Sequence, residues 1–251
     1  MSPSGVLALF SAASPALLES RALLTRVDRK FMLNESRLAD VLTELTGAYA
    51  RVPTTLPDGA RYDTTYFDTP DRQFFHDHRR GRLPRCKVRM RTDHGRGVAF
   101  LEVKCKGANE RTRKSRAPWR HAQEAGPEAL DGEDAAFLAA HCRTDSRSLH
   151  TALRATFTRT TLVGLDTQER ITIDRSIRFT MEGRTDTLDP LVIVEVKQPR
   201  LLNTTCGIRA LRQARVHETG VSKYILGTAR LAPVRMSPFK PVFRLVEHLL
   251  A

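Results

Sequence analysis

The stretch RCKVRMRTDHGRGVAFLEVKCK, Arg85 to Lys106, decides how the chain folds. It alternates with a period of two on both sides of a glycine-containing segment. Before that segment, Arg85, Lys87, Arg89 and Arg91 share one face, and Cys86, Val88 and Met90 share the other. After it, Glu102, Lys104 and Lys106 oppose Leu101, Val103 and Cys105. DHGRG (93–97) supplies turn chemistry, so the pattern predicts a β-hairpin with one charged and one apolar face. The same code recurs elsewhere. In TRVDRK (25–30), Arg26, Asp28 and Lys30 fall on one side; in ERITID (169–174), Arg170, Thr172 and Asp174 oppose Ile171 and Ile173. In IVEVK (193–197), Glu195 and Lys197 oppose Val194 and Val196, while Ile193 breaks the pattern.

One such strand is an ordinary half-solvated sheet element. Five strands with one charged and one apolar face, neighbouring ones presenting rows of like charge, are a different matter, because like charges directly opposed across a ladder destabilise a sheet. At ~5 Å and an effective dielectric of ~20, each close pair costs about 3 kcal/mol. An anion held against the rows removes that cost. A sheet closed into a barrel turns the charged faces inward and the apolar faces toward covering helices. The interior is then a basic channel in which Lys and Arg bind phosphate oxygens and an occasional carboxylate holds a metal ion.

The rest of the chain alternates strands and helices without regular βα units, which predicts an antiparallel α+β fold rather than a doubly wound sheet. Ser14-Pro15 starts a helix expected to run to Leu24, and Asn34 caps a second helix that ends at Gly47. RYDTTYFD (61–68) suits a strand. A helix is expected over Glu124–Cys142, and LHTALRATFTRTTLVG (149–164) passes from helix or turn into strand. LVIVEVKQ (191–198) is a strand, Ile208–Glu218 a helix, and SKYILG (222–227) a short strand. Residues 1–13 are read as a tail and 14–251 as one domain.

The excess of 41 basic over 28 acidic residues predicts a polyanionic partner. RRGR (79–82) and RTRKSR (111–116) read as solvated loops, and with one tryptophan, Trp119, stacking platforms for nucleic acid are scarce, so no nucleic acid is expected. Gly-rich phosphate cradles are missing, so side chains must hold any nucleotide. His76 and His78 read as part of a solvated loop. None of the four cysteines forms a CxxC pair; Cys86 and Cys105 read as small buried apolar residues, which fits a reducing cytoplasm. The N-terminus lacks the basic flank of a secretory leader, and no stretch is long and apolar enough to span a membrane.

Nine segments in order, RVDRKF, YDTTYFDTPD, CKVRMR, FLEVKCKG, KSR, TRTTLV, ERITID, IVEVK and VSKYILG, resemble the VTC (vacuolar transporter chaperone) domain in its stand-alone bacterial form. That domain is one of the triphosphate tunnel metalloenzymes, relatives of the CYTH proteins. The resemblance implies an eight-stranded antiparallel tunnel with a basic interior and helices outside. It places catalytic lysines and arginines at Lys30, Arg89, Arg91, Lys104, Arg159 and Lys223. It places further phosphate contacts at Lys114, Arg116 and Arg170, to which the face code adds Lys87, Lys106 and Lys197. Glu195 is the expected metal ligand, assisted by Glu102, for Mn2+ or Mg2+. Asp28 departs from the family, where many members carry Glu. The implied substrates are ATP and inorganic polyphosphate, with the γ-phosphoryl group passing to the growing polymer. A hydrolase of ATP or triphosphate and a non-catalytic polyanion-binding module are the alternatives. The expected location is cytoplasmic, at the inner face of a membrane if a membrane protein partners the chain.

Overall fold

The computed structural model describes residues 1–21, 26–108, 112–119, 130, 132–220 and 222–251. Its strands are β1 (Val27–Asn34), β2 (Tyr49–Arg51), β3 (Ala60–Asp68), β4 (Arg85–Asp93), β5 (Val98–Lys106), β6 (Thr112–Pro118), β7 (His150–Gly164), β8 (Arg170–Met181), β9 (Arg184–Thr187) and β10 (Leu191–Gln198). Its helices are α1 (Pro3–Leu7), α2 (Pro15–Ser20), α3 (Leu38–Leu45), α4 (Gln73–Arg79), α5 (Gly132–His141), α6 (Cys206–Gln213), α7 (Lys223–Leu231) and α8 (Lys240–Leu250). Eight strands make one continuous antiparallel path, β1-β10-β8-β7-β3-β4-β5-β6, with β2 added beside β7 and β9 beside β8.

In a flat sheet β1 and β5 would lie six spacings apart, roughly 29 Å. Yet burial and the charge of Lys30 on β1 together lower the pKa of Lys104 on β5, and Arg26, just before β1, acts on Lys114 of β6. Charges so coupled stand within a Debye length of one another. The sheet is therefore curled into a tunnel. No ladder joins β1 to β6 among the described residues, so the tunnel has a seam rather than full hydrogen-bonded closure.

The apolar faces point outward as the alternation predicts. Phe31, Leu33, Ile171, Ile173, Val194 and Val196 pack under α3 and α6, joined by Val6 and Leu7 of α1. Residues 1–13, read as a tail, thus contribute buried side chains to this core. Val88, Met90, Leu101 and Val103 pack with Trp119 and with Leu138 of α5. A third cluster fills one end of the tunnel from inside: Met32, Ile193, Phe157 and Phe179 meet Tyr224, Ile225 and Leu226 of α7. Ile193 keeps the face of Glu195 and lies where the lumen turns apolar, which explains the broken pattern. Gly227 admits α7 to this space, since a Cβ there would stand 2.7 Å from Leu153 and 2.8 Å from Phe179.

Several local expectations need correction. SKYILG begins helix α7, not a strand; six residues are too few to separate the two periods, and the helical one continues to Leu231. RTRKSR is not a solvated loop: its described part belongs to edge strand β6, where charged residues suit an edge. His76 and His78 lie on helix α4. The segment 150–164 is strand throughout. Helix α6 stops at Gln213, before Arg215 with φ 52°. Helix α2 ends at Ser20, and residues 22–24 of its expected range lie outside the described residues, as do 124–129 and 131 of the helix expected before Cys142.

Cys86 and Cys105 are joined by a disulfide, with Cα atoms 4.1 Å apart. Counting outward from the closing pair Asp93–Val98 brings the two residues directly opposite. Sequence parity placed them on one face without fixing that register. They therefore give no support to a reducing compartment; Cys142 and Cys206 are free. No helix among the described residues is long and apolar enough to cross a membrane.

Candidate active site in a basic tunnel

The β-ladders stack basic residues opposite one another along the lumen. Lys87 on β4 faces Lys104 on β5, which faces Lys114 on β6. One step toward the apolar end, Arg85 faces Lys106. One step the other way, Arg89, Glu102 and Arg116 form a row. On the opposite wall Lys30 faces Glu195, Asp28 faces Lys197, and Lys197 faces Arg170. Arg159 on β7 faces Asp174 on β8. Lys223 opens α7 and reaches the same wall. All fourteen residues expected at the site occur on this inner face or at the α7 N-terminus.

Carboxylates hold parts of this array together. Both oxygens of Glu102 are taken by guanidinium groups: Arg89 donates to Oε2 at 2.7 Å and Arg91 to Oε1 at 2.6 Å. Burial pushes the Glu102 pKa up, but the two arginines bring it down to about 2. Asp174 receives Arg159 through two hydrogen bonds of 2.6 and 2.7 Å and is also bound by the Lys223 ammonium. Burial opposes its ionisation, and these two cations hold it far below the usual carboxylate range. Glu195 pairs with Lys197 at 2.7 Å; against burial, Lys197 and Lys30 keep it well below its ordinary value.

The lysines respond in the other direction. Burial, then Lys30 and Lys104, lower the Lys87 pKa well below the ordinary value. Burial brings Lys197 down to about 8 even with Glu195 beside it. Lys87 donates to Ser222 Oγ at 2.9 Å, tying the β4 wall to the start of α7. Burial and the cluster of Lys87, Arg85, Lys30 and Lys104 bring His78 of α4 down to about 3. These are the signatures of a cavity with more positive charge than it can neutralise.

Glu102 is a poor metal ligand in this arrangement, since both its oxygens are engaged, and among the described residues no three His, Cys, Asp or Glu side chains group around one point. Glu195 fits better. Its diagonal neighbour Asp28 offers a second hard oxygen donor, and Mg2+ or Mn2+ is commonly held by one or two carboxylates plus substrate phosphates.

Sequence reasoning placed Asp174 on the charged face without giving it a role; its alternation with Arg170 and Thr172 was the available signal. It also missed Tyr62, whose ring stacks on Phe157 at 5.5 Å and lies under Arg159 at 5.1 Å, and Ser222. Tyr224 was missed as well. Its hydroxyl donates to the fully buried Asp68.

The VTC domain profile matches residues 25–232. No curated protein sequence matches the chain. Among solved structures, a candidate adenylate cyclase from Bacillus halodurans superposes with a TM-score of 0.54 at 12% identity, covering 82% of this chain and 97% of that one. A Hippeastrum protein, named as an adenylyl cyclase candidate and described as having a dominant triphosphatase activity, gives 0.55 at 12% identity, covering 83% and 98%. At that identity the likeness establishes a shared fold.

Proposed function

The chain belongs to the VTC domain family, and we propose that it is a polyphosphate polymerase that transfers the γ-phosphoryl group of ATP to a growing inorganic polyphosphate inside the tunnel. The observation carrying this reading is the state of the lumen carboxylates. Glu102, Asp174 and Glu195 are each ion-paired, and the neighbouring cations hold their pKa values below the ordinary carboxylate range, so each is a weak proton acceptor. A hydrolase needs a general base to take a proton from water. The terminal oxygen of a polyphosphate is already an anion and needs none.

In this reading Lys87, Lys104, Lys106, Lys114 and Lys30 bind the phosphates, and Arg159 and Lys223 sit where charge develops during transfer. Arg89, Arg91, Arg116, Arg170 and Lys197 complete the cage. Transfer of this kind depends on positioning and charge neutralisation more than on covalent chemistry. The acceptor oxygen forms a bond to the γ-phosphorus as the bond to the β-bridging oxygen breaks, and ADP leaves with the electron pair. Mn2+ or Mg2+ bound by Glu195, with Asp28 beside it, would supply further neutralisation of the phosphate oxygens.

A hydrolytic reading draws support from the Hippeastrum neighbour described above. One incubation separates the two: ATP and Mn2+ with the purified protein, resolved for ADP, long polymer and orthophosphate. Polymer matching the ADP formed is the expected result. Orthophosphate alone overturns it in favour of the hydrolase. Bound polyphosphate without turnover of ATP leaves a polyanion-binding module.

A further inference from the structure

The aromatic residues of the lumen are not equivalent. Tyr62 is stacked on Phe157, with Arg91 5.9 Å and Arg159 5.1 Å from its ring. Its hydroxyl donates to Asp93 at 2.5 Å, so both its ring and its polar end are engaged. Phe100 differs. It lies on the inner face of β5, opposite Arg91 on β4 and Pro118 on β6, and its ring is half-buried. Its covering group is the guanidinium of Arg116, 4.9 Å from the ring centroid, carried by an exposed residue of the edge strand.

Phe100 also has a defined depth. It lies toward the end opposite α7, where Arg26 and Arg96 of the β4–β5 turn each come close enough to act on Arg170. From Phe100 to Lys104 is four residues along β5, roughly 13 Å. The triphosphate grip at Lys104, Lys87 and Lys30 thus stands deeper in the tunnel, with Phe100 and Arg116 nearer this mouth.

We propose that Phe100 and Arg116 form a stacking subsite for the base of a nucleoside triphosphate, with the base at this mouth and the phosphates pointing inward toward α7. The inference rests on the reading of the tunnel as a site for ATP. A base slides between the phenyl ring and the exposed Arg116 guanidinium, gaining a π-contact on one face and a cation–π contact on the other. Such stacking is tolerant of base identity, since every base has a π-face. The subsite therefore recognises nucleoside triphosphates as a class and distinguishes them from inorganic triphosphate.

The test is a pair of titrations in Mg2+ buffer, one with a non-hydrolysable ATP analogue and one with inorganic triphosphate. They are run on the wild-type protein, Phe100→Leu and Phe100→Trp. Phe100→Leu should weaken the analogue about 5-fold or more, the lower bound for loss of one stacked base, and Phe100→Trp should restore it. Triphosphate should bind Phe100→Leu within about 2-fold of wild type, the scale of an altered side chain away from the phosphates. Equal weakening of both ligands, or of neither, would overturn the subsite. Because both arms measure binding, they decide it even if ATP proves not to be turned over, which is the outcome that sinks the polymerase reading instead.

Discussion

Lys87 on β4 and Lys104 on β5 stand directly opposite each other, and Lys30 of the far wall acts on both. No fold gains stability from that pairing, so the unliganded tunnel carries it as a cost. Lys197 adds to the cost, lowered by burial to about 8 from an ordinary 10.5. Below about 8 the folded and unfolded chains both carry this proton, and the full penalty is present. Between about 8 and 10.5 the unfolded chain binds more protons, so this contribution to stability rises with pH. The unliganded protein should melt at a higher temperature at pH 9 than at pH 7, and Lys87→Met should flatten the difference. Triphosphate should raise the melting temperature more at pH 7 than at pH 9. Identical melting curves across this range, with and without triphosphate, would refute the electrostatic account.

Asp174 is the reverse case, one carboxylate balancing two buried cations. Asp174→Asn leaves the Arg159 guanidinium and the Lys223 ammonium without their counter-charge. Breaking a buried pair in this way costs about 3–5 kcal/mol. Urea denaturation should show a loss of that size, and saturating triphosphate should recover part of it by supplying the missing anion. A loss under 1 kcal/mol, typical of an exposed pair, would mean the Asp174 site is wetter than the structure shows.

Glu195 carries the metal assignment, and Glu195→Gln tests it with little change of shape. The variant should lose the Mn2+ enhancement of triphosphate affinity, measured by titration with and without the metal. It should also lose metal-dependent turnover of ATP while still melting cooperatively. Unaltered Mn2+ dependence would move the metal to another carboxylate, Asp28 first.

Much of this was legible in the sequence because period-two alternation reports which side chains share a face. The alternation alone assigns Arg85, Lys87, Arg89 and Arg91, with Glu102, Lys104 and Lys106, to one wall. Register was not legible, since parity does not say which residue stands opposite which; that is why the Cys86–Cys105 bond was missed although both residues were placed on the outer face. Nor was the function of Asp174, because its value comes from Arg159 fifteen residues away and Lys223 on a different element. VSKYILG was found as a segment but given the wrong secondary structure. Its helix is stabilised by burial against Leu153 and Phe179, which lie far off in the chain.

The disulfide makes its own prediction. It closes a loop with a sequence separation of 19, for which the chain-entropy account gives about 3 kcal/mol. Reduction, or the double change Cys86→Ser and Cys105→Ser, should lower the melting temperature by an amount consistent with that loss. Thiol titration of the denatured protein should rise from two groups, Cys142 and Cys206, to four on reduction. Four thiols before any reductant is added would show that the bond does not form under the conditions used.

Tyr224 tests how Lys223 is kept in place. Asp68, fully buried at the end of β3, accepts from the backbone N–H groups of Thr69 at 2.8 Å, Phe74 at 2.9 Å and Phe75 at 3.0 Å, and from the Tyr224 hydroxyl. One carboxylate therefore fixes the starts of both α4 and α7. Tyr224→Phe keeps the ring stacked on Tyr66, 5.2 Å away, and removes only the hydroxyl bond. Stability should fall by about 1–3 kcal/mol, since a buried acceptor loses a partner. If that bond also sets the position of the neighbouring Lys223, turnover should fall about 10-fold or more, because small misplacements of a transferring group are costly. The KM for ATP should change far less, as the remaining lysines and arginines still grip the phosphates. A loss of stability with turnover unchanged would reduce Asp68 and Tyr224 to a structural anchor and leave Lys223 positioned by Asp174 alone.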